Sequence, residues 1–229
     1  MEKVFEKTIK HFEHRVMPYE RLAKGILNSE AFAFLAFCEL FNIDMIIESG
    51  ICNGTSTEIW AKYYRNYPNV IIHAIDKKIL PETRERLSRY ALHLIEGNSL
   101  QETPKLVTEF PFRRIAIFID GPKQDTAINL GIIHLNTKQV CLIGVHDLHK
   151  STYSKLTGAR AYFDKMANNR TSFTTDTPWF VEKYGYLDND RGKPYTGLSP
   201  KYCCEKYGGY GPTVGLLMKE LPNETGSDI

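Results

Sequence analysis

Between Asp44 and Asn168 the chain repeats one pattern: a short, mostly apolar run, then a glycine or an acid, then a helix-like stretch. The runs are 45–48, 70–75, 92–95, 115–119 and 140–145. Apolar runs of this length suit strands buried on both faces, and the helical stretches between them supply parallel crossovers. The expected fold is therefore α/β, with a parallel sheet wrapped by helices on both faces. A chain of 229 residues fits one such domain.

The flanks complete this picture. The first 28 residues read as helical, and 29–41 form an Ala-, Phe- and Leu-rich helix expected to be buried on most sides. Further helices are predicted from Gly54 to about Tyr67, and over 81–90, 99–110, 125–135 and 157–166. Thr55 with Glu58, and Ser99 with Glu102, have the spacing of capping boxes. Two last strands are predicted at 171–175 and 213–218. Between them, 178–212 holds six of the thirteen tyrosines plus Trp179, and reads as a long loop. A loop of that length in a compact domain is usually a lid, a binding element or an interface. The organisation is thus a single domain: N-terminal helices at 1–43, a βα core at 44–170, and the last strands with their insertion at 171–229.

Composition narrows the classes of partner. Net charge is +2 and the basic residues are dispersed, so no continuous basic face for a nucleic acid is expected. No apolar stretch is long enough to span a bilayer, and the N-terminus lacks a signal-peptide core, so a cytoplasmic location is expected. Five cysteines without CxxC spacing fit reduced thiols.

In an open α/β sheet, ligands bind beyond the carboxyl ends of the strands. Four predicted strand ends carry acids: Glu48, Asp76, Asp120 and the pair His146-Asp147. Glu48 opens the loop Glu48-Ser49-Gly50-Ile51-Cys52-Asn53-Gly54-Thr55-Ser56-Thr57. Its E-x-G-x-x-x-G spacing differs from the G-x-G-x-x-G of dinucleotide binders, whose pyrophosphate favours free amides. A carboxylate at the loop entrance suits a ligand carrying a cationic amino or sulfonium group. Asp76 can accept hydrogen bonds from ribose hydroxyls. Asp120-Gly121-Pro122-Lys123 places an amine three residues after an acid. His146-Asp147-Leu148-His149 adds a second acid at what should be the neighbouring strand end.

The stretch from Asp44 to Asp147 resembles class I S-adenosylmethionine-dependent methyltransferases, and most closely their catechol O-methyltransferase-like branch. That resemblance implies a Rossmann-like, doubly wound, mostly parallel seven-stranded sheet. It implies S-adenosylmethionine contacts from Glu48, Gly50, Asn53, Gly54, Thr55, Ser56, Asp76, Asn98, Ser99 and Asp120. It also implies a divalent cation such as Mg2+ on Asp120 and Asp147, with Lys123 beside the acceptor hydroxyl. A lysine acts as a base only if its pKa is lowered, which a metal and desolvation both favour.

The chain departs from the family where His146 precedes the acid and His149 follows it. Either histidine can be read as a metal ligand or a base; His149 is assigned with Asp120 and Asp147 to the metal, and His146 with Lys123 and Asp120 to catalysis. The predicted activity is methyl transfer to an oxygen of a small acceptor such as a sugar, a phenol or a natural product. Asp120-Gly121-Pro122-Lys123 lacks the second proline and the aromatic residue common in nucleic-acid base methyltransferases, which also favours a small acceptor. The Asp120–Lys123 and His146-Asp147 segments also resemble methyltransferase-like proteins from carbohydrate-modification clusters and cephalosporin hydroxylase-like proteins, so a hydroxylase, or a non-catalytic binding protein, stands as the alternative. The Tyr-rich region is assigned to covering the acceptor or to a homodimer contact.

Overall fold

The computed structural model describes residues 2–17, 25–123, 125–148, 157–188 and 214–220. The strands are β1 (Met45–Ser49), β2 (Ile71–Asp76), β3 (His93–Glu96), β4 (Ile115–Ile119), β5 (Val140–Val145), β6 (Thr171–Thr174) and β7 (Gly215–Met218). They form one sheet in the order β3-β2-β1-β4-β5-β7-β6. The pairs among β1 to β5 are parallel, while β7 runs antiparallel to β5 and β6. The chain leaves β1 toward β2 and β3, then returns to lay β4 on the other side of β1. Such a reversal opens a crevice at the carboxyl ends of the two central strands.

Helices α1 (Glu2–Arg15), α2 (Asn28–Leu40), α3 (Thr55–Tyr63) and α8 (Pro178–Tyr184) lie on one face. That face presents Ile46, Ala116, Phe118, Leu142 and Leu216. Helices α5 (Ser99–Glu109), α6 (Asp125–Leu135) and α7 (Thr157–Ala167) cover the other, against Ile47, Ile117, Ile119, Ile143 and Leu217. The alternation along β1 and β4 is the two-residue period of a pleated strand. A short helix, α4 (Pro81–Leu87), closes a smaller cluster of Ile51, Ala74, Ile79 and Leu87.

Helix α2 is buried from Ser29 to Cys38, as a helix apolar on all sides must be. Its first turn is capped from a distant part of the chain. Asp188, at the end of a 3-10 turn over Gly185–Asp188, accepts the Ser29 N–H at 2.9 Å and the Ser29 hydroxyl at 2.7 Å. Glu30 accepts the Leu27 N–H at 2.8 Å.

Several expectations need correction. The stretch after Pro178 does not begin as a loop or a lid: Trp179, Phe180 and Tyr184 ring Phe5 at centroid distances of 5.8, 5.1 and 5.6 Å. Phe180 and Tyr184 are buried and Trp179 partly so, which completes the aromatic layer beneath α1 and α2. Residues 189–213 of the Tyr-rich region, including Cys203 and Cys204, lie outside the described residues. Neither predicted capping box forms. Gly54 is the N-cap of α3, with φ +74°, and Glu58 instead binds Arg86, Arg89 and Lys62 at 2.6, 2.8 and 3.2 Å. For α5 the cap is Asn98, whose Oδ1 accepts the Leu100 N–H at 3.1 Å. Glu102 pairs with Lys105 at 2.7 Å. In both places the N-cap lies one residue earlier than the spacing predicts, so the glutamate falls one position past the one a capping box needs.

Candidate active site

The glycine loop is pinned on two sides. Asp76 Oδ2 accepts the N–H groups of Ile51 and Cys52 at 2.8 and 3.0 Å. On the opposite side Gly50, at φ +93°, runs against the Asp120-Gly121 backbone; a Cβ there would sit 2.5 Å from the Gly121 nitrogen. Only glycine permits both the dihedral and the approach. Ser49 donates its hydroxyl to the Gly121 carbonyl, and the Ser49 carbonyl accepts the Asp120 and Gly121 N–H groups at 2.8 Å each. The loop thus bridges the crevice between β1 and β4. Asp76 Oδ1 accepts the Lys78 N–H at 3.3 Å. A carboxylate has about four acceptor positions, so it retains capacity for hydroxyls. Asn98 lies beyond Asp76, after β3, which Gly97 ties to the Asp76 carbonyl at 2.8 Å.

Glu48 is not an open carboxylate at the loop entrance. It is two residues after Ile46 on β1, so it shares the face that α3 covers, and it is fully buried. Ser56 donates to one oxygen and Thr57 to the other, the latter at 2.6 Å. Burial pushes its carboxyl up to about 8, against these hydroxyls, which pull it down. Glu48 and Ser56 therefore fasten the loop to the start of α3. Asn53 performs a related task, accepting from Thr55 N–H at 3.3 Å and Thr55 Oγ1 at 2.9 Å.

The charged cluster lies at the ends of β4 and β5. Lys123 donates to Asp120 and, at 2.6 Å, to Asp147. His146 Nδ1 lies 3.0 Å from Asp120 Oδ1 and 3.2 Å from Asp147 Oδ1. Its Nε2 lies 3.3 Å from Glu30 on α2. Burial works to raise the Asp120 carboxyl, but His146 and Lys123 overcome it and hold it below the usual range. Burial would also depress Lys123, yet Asp120 and Asp147 raise it above an ordinary lysine. The lowered lysine pKa that a base requires is thus absent from this arrangement. His146 behaves likewise: burial lowers it, and Glu30, Asp120 and Asp147 raise it well above an ordinary histidine.

Asp120, His146 and Asp147 each offer one ligand atom, all within 4.8 Å of one another. The ammonium of Lys123 already stands between the two carboxylates, so the space accepts a cation. The residues fit a divalent ion with two hard oxygen donors and one imidazole. The expected ligand set held Asp120 and Asp147, which are both in this group, and His149, which lies outside the described residues. Glu30 was missed by the sequence reading. Its signal was an acid in the first turn of a helix otherwise expected to be buried.

No family model and no curated protein matches the chain. Solved structures do. The O-methyltransferase TomG of Streptomyces achromogenes, involved in tomaymycin synthesis and solved with S-adenosylmethionine, is 16% identical. The match covers 94% of this chain and 89% of TomG, with a TM-score of 0.54. An O-methyltransferase from Bacillus cereus, solved with S-adenosylhomocysteine, is 13% identical over 95% and 91% of the two chains, with a TM-score of 0.53. Cofactor-bound Rv0187 from MTB is 14% identical over 94% and 89%, with a TM-score of 0.51. The chain has the fold of these O-methyltransferases. In this methyltransferase fold the glycine loop, Asp76 and the Asp120–Asp147 cluster all meet the crevice where β1 and β4 part.

Proposed function

We propose that the protein transfers the methyl group of S-adenosylmethionine to an oxygen of a small molecule. The observation that carries this reading is the single loop linking two chemically distinct halves of one crevice. On one side Asp76 holds the loop amides and keeps acceptor positions for ribose hydroxyls. On the other, the loop touches the Asp120-Gly121 backbone that begins the charged cluster. A nucleoside bound on the first side directs its sulfonium toward the second. Gly50, Asn53, Gly54 and Thr55 shape the loop, and Asn98 and Ser99 flank the adenine side beyond Asp76. In-line alignment of the methyl group with the acceptor then supplies much of the acceleration.

Asp120 and Asp147, with His146, are the residues that hold a divalent ion in this reading. Such an ion, when bound, would lower the pKa of a neighbouring hydroxyl and offset the carboxylates that hold Lys123 protonated. Lys123 Nζ, three residues from Asp120 on a flexible stem, is then the group placed to take the acceptor proton. The overlap of these donors with the crevice favours a small acceptor.

Calorimetric titration with S-adenosylmethionine, S-adenosylhomocysteine and NAD tests the reading. Binding of both sulfur ligands is expected, without binding of NAD. Tight NAD binding with no response to either sulfur ligand refutes it. For the metal, the variant combining Asp120→Asn with Asp147→Asn is expected to lose any magnesium or manganese stimulation. Unchanged turnover and metal response in that variant would sink the metal part.

A further inference from the structure

His146 occupies an unusual position for a cluster of this kind. One ring nitrogen faces two carboxylates and the other faces a third, on a different layer of the fold. Glu30 belongs to α2, its side chain is 2% exposed, and it reaches His146 across 116 residues of sequence. Glu30 is also fixed by the Leu27 N–H at 2.8 Å, so it cannot follow the ring if the ring turns. Phe118 packs beside the imidazole at a centroid distance of 6.2 Å, further limiting rotation.

We propose that Glu30 is a positioning residue that orients His146 as a metal ligand, and that this pair tunes the site toward a first-row transition ion over magnesium. A carboxylate on one ring nitrogen fixes the tautomer, so that the lone pair of the other points at the metal. Here the carboxylate faces Nε2, which leaves Nδ1 directed at the space between Asp120 and Asp147. That space is filled by the ammonium of Lys123, whose side chain is 45% exposed, so a bound ion would have to displace it toward solvent. Magnesium takes oxygen ligands and keeps its waters, whereas imidazole suits cobalt, iron, nickel and zinc. Replacing one oxygen donor by a rigidly held imidazole therefore shifts selectivity while keeping the site's position. The inference deepens the metal part of the proposed transferase.

The test titrates the full-length protein, without S-adenosylmethionine, with CoCl2 by visible absorption and with MgCl2 by calorimetry. Wild type is expected to bind cobalt with a ligand-field spectrum that includes a nitrogen donor. Glu30→Gln, which keeps an oxygen for the Leu27 N–H, is expected to weaken cobalt binding by about 10–100-fold. Magnesium binding should change far less. His146→Asp is expected to lower the cobalt-to-magnesium affinity ratio by about tenfold or more. A merely structural Glu30 would move both metals together, or neither. Circular dichroism reports whether each variant folds, and if Glu30→Gln does not, the His146→Asp ratio decides. A ratio unchanged by the folded variants, or no cobalt binding by a protein that binds S-adenosylmethionine, overturns the proposal and leaves the transferase standing. Cobalt behaviour as expected with no binding of S-adenosylmethionine overturns the transferase instead.

Discussion

Two sides of α2 sit in opposite environments. Along most of its length the helix packs into an aromatic layer: Phe32 lies 5.6 Å from Phe5, 5.4 Å from Phe12 and 5.0 Å from Tyr184. At its first turn the same helix delivers Glu30 to a cluster of charges. The aromatic layer is stabilised by removal of apolar area from water, which is additive and tolerant of detail. The charged end depends on each ionic group finding its partner, because an unpaired buried charge is costly. Stability is thus concentrated in one part of the face and chemistry in the other, although a single helix carries both.

Substitutions should separate the two regions. The largest effect is expected in the aromatic layer: Phe32→Ala removes a fully buried ring and should cost about 3–5 kcal/mol. Urea denaturation measures it, and the fraction that remains folded should bind S-adenosylmethionine as wild type does. A loss of affinity in that fraction would show that the layers are not separate.

Next comes the pH dependence set by Glu48. Burial raises its folded pKa to about 8, from an ordinary glutamate value of 4.5. The carboxyl therefore contributes fully below about 4.5, and its contribution declines as the pH rises and is lost above about 8. Across that window wild type should lose stability on the order of a few kcal/mol relative to Glu48→Gln. Parallel stability profiles for the two proteins would contradict the buried, protonated carboxyl.

At the cofactor side, Asp76→Ala removes the acceptor for two loop amides. Affinity for S-adenosylmethionine should fall by about 10–100-fold, equivalent to roughly 1.5–3 kcal/mol for hydrogen bonds to a charged group. Calorimetry checks this, and near-native affinity would remove Asp76 from the site. The smallest effect is expected at the cap: Asp188→Ala should destabilise by about 1–2 kcal/mol in thermal or urea melts. A shift in cofactor affinity in that variant would show that the position of α2 reaches the site.

The sheet was legible because its signal is local. The runs 115–119 and 140–145 coincide with β4 and β5, and 125–135 coincides with α6. The positions of Asp76, Asp120 and Asp147 were legible for the same reason, since Asp76 ends β2, Asp120 follows β4 and Asp147 lies two residues past β5. Less was visible in Thr55–Glu58 and Ser99–Glu102, whose spacing is shared by capping boxes and by salt bridges. The choice between those lies with where each helix starts, at Gly54 and Asn98, and leaves Glu58 to Arg86 on another helix. The aromatic residues after Pro178 misled because composition suits a lid as well as a core, and only their packing on Phe5, Phe32 and Phe173 distinguishes the two.

By itself, then, the sequence determined the alternation of strands and helices, the glycine spacing of the first loop, and the acids at the strand ends. These follow from backbone periods and from residues within a few positions of one another. Tertiary structure decided what each acid does. Covering by α3 turned Glu48 inward and raised its pKa, and the adjacency of β4 and β5 put Lys123 between two carboxylates. The partnership of Glu30 with His146 spans 116 residues, and that of Asp188 with Ser29 spans 159. Electrostatic roles depend on distance and dielectric, which exist only once the chain has folded.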